Sequence, residues 1–292
     1  AALIVKMGIV DNNVIYRTAV LISSVMVVAQ GRYIDLTYNI NSDVMRWPNH
    51  TKFTLKVDIR GPFAALNFLA SNSFETSEHV ATHIDAPFHI NQNGIKIHEM
   101  PFDNFYGPAV VIDIKEKSSK VPDATLDISD VTSWEEKYNT EIPKGAIVIM
   151  NSGWGKYWGN SSAFLGGTTT NSLHFPGFSG EAVTWLVDNR DIKGIIVDTI
   201  SCDPGNSAMG EAHLAILQAS SKWCVEMAAN LDEVPAKGAN VFAMPIKIED
   251  GTGAPIRLYA EVGAGWGVNS GCTLIWAESY VVALILSMFL YL

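Results

Sequence analysis

Apolar and polar side chains alternate along residues 52–58 (Lys-Phe-Thr-Leu-Lys-Val-Asp), the period of two expected of a strand with one wet face. Residues 33–37 predict a strand before it, and 39–49 a polar loop carrying Trp47-Pro48. Gly61-Pro62 punctuates the chain, and 63–69 is mixed in character. Further on the pattern changes. Residues 109–114, 145–150 and 194–198 are short, nearly unbroken apolar runs, as in strands buried on both faces. Between them, 129–137 opens on a capping serine and predicts a helix, and 179–188 places Ala182, Trp185 and Leu186 on one helical face. Residues 240–248 and 256–262 alternate again with no helix between them. Strands interleaved with helices, then strands alone, predict an α/β domain with a mixed sheet and covered faces.

The ends read differently. Arg17 precedes an apolar run at 18–29, which is too short for a membrane span and has the form of a signal-peptide core. A buried N-terminal strand or helix would carry the same pattern. At the far end, Asn269, Ser270 and Gly271, a spacer at 272–279 and an apolar tail at 280–292 follow the order of a lipid-anchor attachment signal. A tail-anchored helix or a frame-shifted C-terminus competes with that reading. The division expected is a leader at 1–30, a catalytic domain at 31–268 and a tail at 269–292, with the protein secreted or anchored to the outer membrane surface. Triplets at Asn49 and Asn160 fit glycosylation on that route. If Cys272 leaves with the tail, Cys202 and Cys224 are left to pair.

With 292 residues, 48% of them hydrophobic, the chain has room for one substantial core or two small ones. A formal charge of −10 argues against nucleic acid or acidic membrane surfaces as partners.

The chemistry concentrates in residues 78–89, Glu-His-Val-Ala-Thr-His-Ile-Asp-Ala-Pro-Phe-His, which hold three of the seven histidines. His79, His83, Asp85 and His89 are all odd-numbered, so an extended segment would put all four on one face. A helix would scatter them and break at Pro87. Fully extended, however, ten steps span roughly 33 Å, far beyond one ion with bonds of about 2 Å. The segment must therefore curl at a bulge or short helical turn, or serve more than one centre.

This stretch resembles the H-x-G-T-H-x-D-x-P-x-H signature of the cyclase-like metal-dependent hydrolases, the family of bacterial kynurenine formamidase and isatin hydrolase. Every position matches except the glycine, which is Ala81. The departure bears on how closely the backbone can pack or bend there. Further blocks at 154–158, 174–177, 197–199, 203–205 and 242–247 resemble the family in order, so the likeness runs from about Tyr33 to Gly263. It implies a swivelling β/β/α fold, a homo-oligomer, and a divalent metal, zinc or manganese, as one or two ions. His79, His83 and Asp85 would be ligands, joined by His213 and Glu226 at the family's distal positions. His89 is the candidate for proton transfer to the leaving nitrogen, or else a further ligand. Trp47, Phe88, Trp154 and Trp158 either wall a site for a flat ring or are ordinary core residues. The activity first expected is hydrolysis of an aryl formamide, a small-molecule aryl amide. The alternatives are opening of a cyclic amide and a secreted binding protein without turnover.

Overall fold

In the computed structural model, residues 31–169 and 172–263 are described, and Tyr33–Val262 form one compact unit. The leader and tail expected at the two ends lie outside the described residues, as does Cys272.

The chain enters through β1 (Arg32–Asp35) and runs out along a hairpin, β2 (Thr54–Phe63) and β3 (Leu66–Glu75), before reaching β4 (His83–Asp85). An alternating stretch follows: β5 (Tyr106–Asp113), α1 (Lys115–Lys120), β6 (Thr125–Leu126), α2 (Ile128–Tyr138), β7 (Ile147–Asn151), α3 (Ser161–Leu165), β8 (Gly177–Phe178), α4 (Gly180–Arg190), β9 (Gly194–Val197), α5 (Glu211–Leu217) and β10 (Trp223–Glu226). The hairpin partners β11 (Ala239–Pro245) and β12 (Gly253–Val262) complete it.

The main sheet has the order β1-β12-β11-β5-β7-β9-β10-β4, and β4 also pairs with β12. That last pairing closes seven strands on themselves. Strands β5, β7, β9 and β10 run parallel, while β4, β11 and β12 are antiparallel to their neighbours. The mixed α/β sheet expected from the apolar runs is thus present, in closed form.

Alternation along the parallel strands sorts the core into two. Ala109, Val111, Ile147, Ile149 and Ile196 point into the closed sheet with Ile84, Trp223 and Val225. Their neighbours Val110, Ile112, Val148, Met150, Ile195 and Val197 point outward and are covered by Val131 and Trp134 of α2, Ala182, Val183 and Leu186 of α4, and Ile216 and Leu217 of α5. Local chemistry sets the helix ends. The carboxylate of Asp130 accepts the Asp127 N–H at 2.8 Å, so α2 begins before the serine expected to cap it. The Ser179 hydroxyl accepts from Ala182 N at 3.2 Å and caps α4.

Gly61-Pro62 does not break the chain, contrary to expectation: both residues lie inside β2. The ladder shifts register between Gly61 and Phe63, and Pro62 sits at that irregularity, where its missing N–H costs no bond. The hairpin leaves Leu55 and Val57 of β2, and Leu66, Phe68 and Phe74 of β3, exposed. Leu55 lies directly opposite Phe74, and Val57, two residues on, shares their face.

Candidate metal centre

Two short strands carry the site. In β4, His83 and Asp85 project from the same face, and Ile84 between them enters the closed core. Strand β10 pairs antiparallel with β4 in a register that sets Glu226 opposite His83 and Cys224 opposite Asp85. Helix α5 packs over this face and brings His213 down onto it.

The curl demanded by the span of the histidine segment occurs twice. Ala81 adopts φ +50°, a left-handed conformation that favours glycine, and turns the chain between His79 and His83. Pro87 then opens a one-turn 3₁₀ helix, Pro87–His89, which folds His89 back until its ring centroid lies 4.1 Å from that of His79.

Each of the three buried-side imidazoles has one nitrogen anchored and the other directed at the same point. The His79 Nε2–H donates to Thr252 Oγ1 at 2.8 Å, and the threonine hydroxyl donates onward to Glu78 Oε2 at 2.5 Å. That leaves His79 Nδ1 facing Asp85 Oδ1 at 2.5 Å. His83 Nδ1 donates to the Ala81 carbonyl at 2.9 Å, and its Nε2 lies 3.3 Å from Asp85 Oδ1 and 3.5 Å from Glu226 Oε2. His213 Nδ1 donates to Asp203 Oδ2 at 2.5 Å, and its Nε2 lies 3.3 Å from Asp85 Oδ2 and 3.2 Å from Glu226 Oε1. Anchoring of the far nitrogen fixes the tautomer and ring angle in the way metal-ligating histidines require.

The ring nitrogens converge with two buried carboxylates, and the charges show the strain of that arrangement. Burial works against a proton on His83, but Asp85 and Glu226 overcome it and push its pKa up to about 9. Burial likewise disfavours charge on His213, yet Cys224, Asp203 and Asp85 hold it well above the usual histidine range. Asp85, despite burial, is held well below the carboxylate range by His79 and His83 and by its bond from His213. Positive charge is needed between these groups. A divalent cation bound by the imidazole lone pairs supplies it without protons, and nitrogen and oxygen donors of this kind suit zinc or manganese.

His79, His83 and Asp85 form one candidate ligand group, and Asp85, His89 and His213 another. His89 stands apart electrostatically. Burial lowers its pKa to about 4, against the pull of Asp85 and with the repulsion of His79, His213 and His83.

The centre opens into a cavity of ≈ 350 Å³ lined by Trp47, His50, His79, His83, Asp85, His89, Leu173, Phe175, Ile200, Asp203, His213 and Glu226, among others. Of the four aromatic residues considered as a wall, Trp47 lines it and the other three do not. Trp154 is buried in a satellite core with its indole N–H bonded to the Phe164 carbonyl at 2.8 Å. Trp158 stacks on Tyr38 at 3.6 Å, and Phe88 lies under the Lys96 ammonium. Leu173, Phe175 and Ile200 take their place. The anchor Asp203 falls in the block at 203–205 that resembles the family, whereas Thr252 and His50, which also lines the cavity, carry no spacing that marks them in the sequence.

Residues 34–204 match the family model described as "Putative cyclase". Isatin hydrolase of Roseibium aggregatum is 33% identical over 231 residues, covering 74% of this chain and 84% of the relative. Kynurenine formamidase of Bacillus cereus is 26% identical over 227 residues, covering 77% of this chain and 95% of the relative. Isatin hydrolase A from Ralstonia solanacearum superposes with a TM-score of 0.73 at 28% identity, over 88% of this chain and 99% of its own. Fold and site together define a cyclase-like hydrolase with a candidate metal centre. The chain belongs to the cyclase family.

Two measurements probe the centre. Asp203→Asn removes the carboxylate that anchors His213, and zinc affinity by competition titration should fall roughly 10–100-fold, with the fold intact by circular dichroism. Unchanged affinity would separate His213 from the centre. The second concerns pH. The folded pKa of His83 is raised, so its contribution to the metal-free protein is complete below about 6.5 and lost as pH climbs through about 9. Metal must displace that proton. The gain in Tm on adding zinc should therefore grow between pH 6.5 and 9; a gain independent of pH would count against His83 as a ligand.

Proposed function

We propose that this chain hydrolyses the C–N amide bond of an aromatic small molecule, with a cyclic aryl amide as the leading substrate class and an aryl formamide as the second. The observation that carries the reading is the convergence of three anchored imidazoles and two buried carboxylates on one wall of a cavity otherwise flanked by Trp47, Leu173, Phe175 and Ile200. His79, His83, Asp85, His213 and Glu226 are the residues to hold one or two ions. Bound there, the metal would supply an activated water and polarise the carbonyl.

The remaining work falls to the chain. The apolar side chains flank a flat ring and keep bulk water from it. His89, uncharged at neutral pH, accepts the proton of the attacking water and passes it to the nitrogen as the C–N bond breaks. One water is consumed, and the products are a carboxylate and an amine, on one molecule if the amide was cyclic. The cyclic class ranks first because the 33% identical relative is an isatin hydrolase, and solved isatin hydrolases match at TM-scores of 0.71 to 0.73. One of those structures holds the product analogue thioisatinate. The formamide class is kept because kynurenine formamidase relatives match over 95% of their length.

The exposed hairpin supports a homo-oligomer. A two-stranded ribbon alone in water is marginal, and a face of Leu55, Val57 and Phe74, with Leu66 and Phe68 exposed on the same hairpin, fits the same hairpin of a second copy.

In the test of the reaction, a panel of isatins and formanilides is assayed with the zinc- and manganese-loaded protein. His89→Ala should keep its metal while kcat falls roughly 10²–10⁴-fold. Loss of metal from that variant would make His89 a ligand instead, and no turnover of either class would remove the proposal. For assembly, Phe68→Glu with Phe74→Glu should shift the protein to monomer in sedimentation velocity; wild-type protein that is already monomeric would refute the second copy.

A further inference from the structure

The hydrolytic reading leaves one imidazole of the cavity without a role. His50 lines the cavity together with Trp47, from the same turn. That turn is tied at both ends. The His50 N–H donates to the Trp47 carbonyl at 3.1 Å, and Arg46 Nε donates to the His50 carbonyl at 3.0 Å. Asn49, at φ +73°, supplies the left-handed step that asparagine tolerates. An antiparallel bridge from Arg46 to Val80, with the Ala81 N–H on the Met45 carbonyl at 3.0 Å, lays the turn against the histidine segment. The His50 ring therefore stands 6.3 Å from the His79 ring, centroid to centroid. Among the described residues it belongs to none of the donor groups close enough to share an ion.

A serine sets the polarity of the ring. Ser77 Oγ accepts the His79 N–H at 3.3 Å and turns its own proton to His50 Nδ1, 3.4 Å away. In the neutral imidazole the ring proton is then carried on Nε2. Packing alone would be served here by leucine or phenylalanine; the imidazole adds a donor beside the Trp47 indole.

We propose that His50 is a specificity-determining residue, donating from Nε2 to a second carbonyl oxygen of the substrate. The inference rests on the proposed hydrolysis and narrows its substrate class. His50 is one ring away from the candidate ligand His79, so an acceptor that meets it stands a few ångströms from the scissile bond. On an aromatic amide that is the position ortho to the nitrogen, whether the amide is cyclic or open-chain. The contact lies off the bond that breaks, so it acts on binding and its loss raises KM rather than lowering kcat.

Two substrate pairs differ in that acceptor: ortho-acetylformanilide with formanilide, and isatin with the analogue in which two fluorines replace the second carbonyl oxygen. Kinetics are compared for the zinc-loaded wild type, His50→Leu and His50→Gln. In the wild type the KM of the acceptor-bearing member should be lower by about 3–10-fold. In His50→Leu that ratio should fall to about one. In His50→Gln, whose amide N–H reaches close to where Nε2 lies, it should return. A ratio of one in the wild type, or a ratio that His50→Leu leaves unchanged, overturns the inference; so does loss of metal from either variant. If the wild type turns over neither pair, the hydrolytic reading fails, and dissociation constants of the same compounds by calorimetry carry the same comparison. The wild-type ratio keeps the test decisive where a variant fails to fold.

Discussion

Asp85 and Glu226 are carboxylates buried within reach of one cluster of imidazoles, and the rest of the site follows from that burial. A lone buried carboxylate costs several kcal/mol unless a positive partner and hydrogen bonds compensate it. Here the compensation is shared: His83 Nε2 stands between the two acids, and His213 Nε2 stands between them from the opposite side. The raised pKa values of His83 and His213 and the depressed pKa of Asp85 express the same demand for positive charge. Replacing protons with a cation satisfies the demand and frees the imidazoles to act as ligands.

The closed sheet is what brings the acids together. Strand β4 is three residues long and pairs on one edge with β10 and on the other with β12. Being held on both sides, it cannot slip by one residue, and such a slip would turn His83 and Asp85 into the core and Ile84 into the site. The same closure delivers an anchor. β12 runs past β4 with Gly253 opposite Asp85, and a Cβ on Gly253 would lie 2.7 Å from the His79 ring. Thr252, one residue earlier, is thereby placed to hold His79 Nε2. Ala81 shows what the bend requires. A left-handed alanine carries a strain of about 1–2 kcal/mol. Against this, alanine loses less backbone entropy on folding than glycine, by about 0.5–1 kcal/mol, and its buried methyl contributes about 0.8 kcal/mol. The terms nearly cancel, so the family's glycine and this alanine are close to equivalent there.

What was legible in the sequence was local. The odd numbering of His79, His83, Asp85 and His89, the Pro87 turn and the apolar runs of β5, β7 and β9 depend on neighbours a few residues away. The site's other half depends on register between strands about 140 residues apart, and no spacing records that Glu226 faces His83 or Cys224 faces Asp85. For this reason only the resemblance to the family points to His213 and Glu226. Asp203 and Thr252 act through another side chain and leave no periodic signal. Trp154 and Trp158 had the composition of a binding wall, but the packing of α3 and Tyr38 around them took both into a core. The Gly61-Pro62 signal reads as a break because a bulge that tolerates proline is defined by its partner strand, which a linear reading does not contain.

The division between strands and loops also separates chemistry from selectivity. His83, Asp85 and Glu226 lie on hydrogen-bonded strands, and His213 on a helix packed against them, so their positions are fixed by the ladder and the core. Leu173, Phe175, Ile200 and Trp47, which meet the substrate's ring in the proposed function, lie in segments between elements, where the backbone is freer to change length and path. On that proposal, a rigid centre with a wall on loops would present the same activated water to a ring amide or to an open-chain formamide. Which of the two fits would then be set by how far the Leu173–Phe175 segment stands from the centre. Because the bond broken would be the same in both cases, the residues of β4 and β10 would have no means of telling the substrates apart, and the choice would rest with the loops.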